Sequence, residues 1–81
     1  MSDVLNEVLT DLRLNCPRDE YLFPAWLDAI SQVIAAYPTE LRRKACSILV
    51  SNDLCVATGV PLIECHKVVW HAVEQRTEVR S

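Results

Sequence analysis

Residues Ser51–Trp70 read SNDLCVATGVPLIECHKVVW, and this stretch decides the fold. It holds the chain's single glycine, Gly59, between two runs that are apolar at helical spacing. Glycine enters positive φ without the steric cost borne by other residues, so Thr58-Gly59-Val60 predicts a tight turn. Pro61 suits the first turn of a following helix, where a missing N–H matters least. The stretch therefore predicts a short helix over about 53–58 and a longer one from Pro61 to about Gln75, with a polar tail beyond it. Ser51-Asn52-Asp53 predicts the break before the short helix, and can cap it.

Upstream, Thr39 is a good N-cap for a third helix over 40–50, with Glu40 in its first turn. Leu41, Ala45, Ile48 and Leu49 form its expected buried stripe, with Cys46 and Val50 beside it. Arg42, Arg43 and Lys44 form a basic cluster on the adjoining faces. Before that, Trp26, Leu27, Ile30, Val33, Ile34 and Tyr37 recur at intervals of one, three and four residues. They predict a second amphipathic helix to about Tyr37, opened by Pro24 and stopped by Pro38, with Trp26 and Tyr37 in or beside the core. Val4, Leu5, Val8, Leu9 and Leu12 place a first helix over 3–14, with Ser2 as N-cap and Asp3 favouring its positive end. Asn15-Cys16-Pro17 ends it, Asn15 being tolerant of a left-handed cap. Residues 17–23 connect the two. The expectation is a single all-α domain over 1–81, a compact orthogonal bundle of five helices.

Composition narrows the function. Hydrophobic residues make up 51% of a short chain. A chain of this size buries only a modest share of its surface. The excess reads either as a well-filled core or as a dimer or docking surface. No apolar run approaches the length of about 18 residues needed to span a membrane. The opening MSDVLNEVL is acidic and amphipathic, unlike a secretory signal, so a cytoplasmic setting is expected. Residues 1–40 hold seven acids and two bases, a formal −5; residues 41–81 hold four acids and six bases, +2. That asymmetry permits a nucleic-acid contact on the second half, although dedicated binders are usually more basic.

The 51–70 stretch resembles the helix-turn-helix motif of DNA-binding regulators. Such motifs carry a small residue four positions before a turn glycine, here Cys55 before Gly59. They carry apolar residues one, six and nine positions after it, here Val60, Cys65 and Val68. Leu54 and Val56 add packing positions. ATGVPLIECHKVVWHAVEQ is also similar to the last helix pair of bacterial sigma factors and of serine-recombinase DNA-binding domains. The resemblance covers about a quarter of the chain. It implies a second helix that reads bases, with Leu62, Ile63, His66, Lys67 and Trp70 outward. Only Lys67 and His66 have the right chemistry there, and Glu64 repels phosphate. Leu62, Ile63 and Trp70 instead make an apolar patch, the mark of a protein interface if exposed and of a core if buried.

No enzyme chemistry emerges. His66 and His71 do not share the spacing that places two ligands on one helix face, and no CxxC pair is present. The four cysteines read as core packing, and one glycine cannot make a phosphate-binding loop. No metal, cofactor or small-molecule substrate is expected. The leading expectation is a small regulatory protein, an adaptor or inhibitor of a larger complex that self-associates. Its contact residues are Leu62, Ile63, His66 and Trp70. The alternative is a transcriptional regulator that binds DNA as a dimer through Arg42, Arg43, Lys44, His66 and Lys67.

Overall fold

The computed structural model describes residues 4–19 and 21–80, Val79 and Arg80 by their backbone alone. Its four helices are α1 (Val4–Leu14), α2 (Phe23–Ala35), α3 (Glu40–Thr58) and α4 (Leu62–Arg80), and no described residue lies in a strand. The expected Ser2 cap and Asp3 fall outside the described residues.

Each boundary has a local cause. Asn15 closes α1 without a left-handed residue: its amide Nδ2 donates to the Asp11 carbonyl at 2.7 Å. Pro24 stands in the first turn of α2. The Thr39 hydroxyl caps α3 by accepting from the Arg42 N–H at 3.2 Å. Gly59 ends α3 at φ 78°, its N–H donating to the Cys55 carbonyl at 2.8 Å. The Pro61 carbonyl then accepts from the N–H groups of Glu64 and Cys65, starting α4.

The five expected helices are four, because 40–50 and 53–58 are one continuous rod. Ser51-Asn52-Asp53 does not break it. The Ser51 hydroxyl is fully buried and donates to the Ser47 carbonyl at 2.6 Å, within the helix. Asp53 accepts from Arg13 Nε at 2.5 Å, tying α3 to α1, and so is not available as a cap. At its far end α4 runs past Gln75 to Arg80. Arg76 holds it there by donating to the Ser31 hydroxyl and the Asp28 carboxylate of α2.

The core forms where α4 packs on α3 and α2, and α1 on α2. Ile30, Ile34, Val50, Val69 and Val73 are fully buried. Trp26 closes the α1 side, its indole N–H donating to the Leu12 carbonyl at 2.8 Å. The α2 stripe is buried or half-buried throughout.

Helix α3 is turned the other way round from expectation. Leu41, Ala45, Ile48 and Leu49 face out, Leu41 at 81% exposure. Ser47 and Ser51 face in with Cys46, Val50 and Leu54. The apolar residues of α3 lie on both sides of the helix, so apolarity alone does not choose its buried face. The small serines do: they hide their hydroxyls on i−4 carbonyls and leave room for close helix packing.

Candidate functional site

The α3–Gly59–α4 pair carries the residues that sequence singled out. Its turn is held from both sides. The Thr58 hydroxyl donates to the Leu54 carbonyl at 2.7 Å and accepts from the Val60 N–H at 3.3 Å. The four contact candidates divide into two groups. Leu62 and Ile63 stand outward at the start of α4, 44% and 65% exposed. His66 and Trp70 are half-buried and stacked, with ring centroids 6.4 Å apart and planes 11° from parallel. The Lys44 ammonium sits 5.6 Å above the Trp70 ring, bridging from α3. Trp70 also packs on the core, so it seals the α3–α4 seam and is not a free-standing anchor. The His66 Nε2 is buried without a hydrogen-bond partner.

The basic residues are drawn into separate tasks. Arg43 donates to the Tyr37 carbonyl at 2.8 Å, and the Arg42 guanidinium lies 5.4 Å from the centre of the Tyr37 ring. Lys67 makes a loose pair with Glu64 at 3.9 Å. Lys44 is placed over Trp70. Lys44 is thereby brought to the ring that stacks on His66.

The positions of the helix-turn-helix resemblance are partly filled as its packing requires. Leu54 and Cys65 are buried, but Val60 and Val68 are each 42% exposed, while Val69 and Val73 take the interior.

The cysteines are thiols, none of them in a disulfide. Burial pushes the Cys16 and Cys65 thiols up from their ordinary pKa, which disfavours the thiolate a nucleophile needs. Cys65 Sγ points at the Val60 carbonyl, 3.6 Å away. Among the described residues no group of three or more His, Cys, Asp or Glu side chains is placed to hold a metal. No helix among them is long and apolar enough to cross a membrane. A groove of ≈ 570 Å³ between α2 and α4 is occupied on one wall by the Arg76–Asp28–Ser31 network, already satisfied. A second, of ≈ 370 Å³, lies between the α1–α2 connector and the Gly59 turn.

Sequence reasoning missed the outward surface of α3. Leu41, Ile48, Leu49 and Val56 are 81%, 50%, 47% and 80% exposed. The signal was present in Ser47 and Ser51, one turn apart between Cys46, Val50 and Leu54, which mark the close-packing side. The chain matches no protein-family profile, no curated protein and no solved structure.

Proposed function

We propose that this protein is a small non-enzymatic regulator that acts by binding protein, through the outside of α3 and the start of α4. The observation that carries the reading is the exposure of large apolar side chains there: Leu41, Ile48, Leu49 and Val56 on α3, Leu62 and Ile63 on α4. Apolar surface gathered on one element and left in water is free energy that a partner recovers on docking. Single exposed apolar residues are ordinary; a series along one helix face marks a contact surface.

The DNA-binding alternative has weaker support. A helix-turn-helix sets its helices at about 90–120°. Lys44 lies ~22 Å along α3 from the turn and Trp70 ~12 Å along α4, at 1.5 Å per residue. Perpendicular helices would part those points by ~25 Å. The 5.6 Å contact between Lys44 and Trp70 instead favours a side-by-side hairpin, with no helix projecting toward a groove. The net charge of −3 argues in the same direction.

The test is cross-linked capture from native extract with three full-length chains: the unaltered one, Leu41→Asp and Ile63→Asp. A protein captured by the first and lost with either variant, with circular dichroism unchanged, supports the reading. Capture that neither variant alters would sink it. So would tight binding to mixed-sequence duplex DNA that weakens steeply between about 50 and 200 mM salt.

A further inference from the structure

We infer that the outward face of α3 binds a second copy of the same face, antiparallel, about a two-fold axis between Ile48 and Leu49. The inference rests on the reading of this surface as a protein contact and names its partner.

The first ground is the pattern of the face itself. Its outward residues are Leu41, Ala45, Ile48, Leu49, Asn52 and Val56, all exposed. Their spacings along the chain are four, three, one, three and four, the same in both directions. A two-fold axis through the midpoint of such a series sets each outward residue against another outward residue, i on j and j on i. Reversal about the midpoint sets Leu41 against Val56, Ala45 against Asn52, and Ile48 against Leu49. Apolar side chains then meet apolar ones at both ends and in the middle. The one polar residue, Asn52, meets the smallest, Ala45, which leaves it room to reach the edge. A parallel pairing would stack Asn52 on Asn52, and Ala45 on Ala45 would leave a gap.

The second ground is charge. No ionisable side chain lies within the face. Arg42 borders it on the flank that also carries Asp53. The same reversal brings Arg42 within a helical turn of the Arg13–Asp53 ion pair of the second copy, which is neutral, so no like charges are forced together at the rim.

The third ground is size. Leu41, Ile48, Leu49 and Val56 alone, at 81%, 50%, 47% and 80% exposure, leave roughly 500 Å² per copy in water, so a pair that covered all of it would bury roughly 1,000 Å², the lower limit for a specific interface. The face is long enough as well: Leu41 to Val56 spans ~22 Å of helix. An interface of this size suits a reversible dimer better than an obligate one. That agrees with a core in each copy that is complete without the other, its five central aliphatic side chains fully buried.

Sedimentation equilibrium of the full chain over a dilution series, read with circular dichroism, tests the inference. The unaltered chain is expected to approach twice the monomer mass at about 100 µM and to dissociate on dilution. Ile48→Asp places a charge beside the axis, where the copies' carboxylates approach each other. It should raise the dissociation constant at least about 100-fold with the helical spectrum unchanged. Leu41→Lys and Val56→Glu should each weaken the dimer, and the double variant should restore it, because position 41 faces 56 only in the antiparallel register. A monomer at about 100 µM overturns the proposal, and so does a dimer that survives Ile48→Asp. A double variant no stronger than its parents overturns the antiparallel register. The two readings fail separately: a chain that stays monomeric but still captures another protein through Leu41 loses this inference and keeps the protein-binding function.

Discussion

Ile30 and Ile48 are the same residue at the middle of two helices, and they live in different solvents. Ile30 of α2 is fully buried, whereas Ile48 of α3 is half exposed. In α2 the apolar residues are gathered on one side and polar Asp28 and Gln32 lie outside, so the buried face follows from the pattern. In α3 apolar residues occur on both sides, and the side that packs is the one with small serines. The difference teaches that a helix with two apolar faces buries the one that lets its neighbours come close. The other is left in water.

Substitutions of one kind on the two helices put this contrast at risk. Ile30→Ala should cost about 2–5 kcal/mol in a urea-unfolding measurement, because it opens a cavity in a filled core. Ser47→Leu should cost about 1–3 kcal/mol by overpacking the inner face of α3. Were apolarity rather than close packing what selects that face, Ser47→Leu would stabilise the protein. Gly59→Ala should cost about 1–2 kcal/mol from backbone conformation alone. Its methyl would meet nothing within 4 Å, so the loss isolates the φ of 78°. Ile48→Ala should shift stability by less than about 0.5 kcal/mol when measured dilute enough for monomer, since it removes exposed surface. A loss as large as that at Ile30 would mean that Ile48 is buried in the monomer, and the contrast would fall.

Much of the fold was legible in the sequence for local reasons. The α2 stripe, the Thr39 cap, the Gly59 turn and Pro24 in the first turn of α2 each depend on residues within a turn or two of one another. The break at Ser51-Asn52-Asp53 was misread because its outcome depends on a distant residue. Asp53 is claimed by Arg13, 40 residues earlier in the chain, and no local rule reveals that. The candidate contact residues divide in the same way. The sequence left open whether Leu62, Ile63 and Trp70 are exposed or buried; Leu62 and Ile63 stand outward, since the first turn of a helix after a tight turn has few neighbours. Trp70 is half-buried in the α3–α4 seam, stacked on His66 and under Lys44. The exposed α3 face escaped notice because burial there is settled by the spacing between helices, a property of the assembled molecule.

The two tryptophans give this architecture an optical consequence. Trp26 is buried with its indole N–H bonded to the Leu12 carbonyl of α1. Trp70 stacks on the His66 imidazole and lies under the Lys44 ammonium at the α3–α4 seam. One chromophore therefore watches the docking of the amino-terminal helix, and the other watches the closing of the carboxy-terminal pair. With Trp26→Phe or Trp70→Phe in turn, stopped-flow fluorescence of the remaining indole would time the two events separately, without any added label.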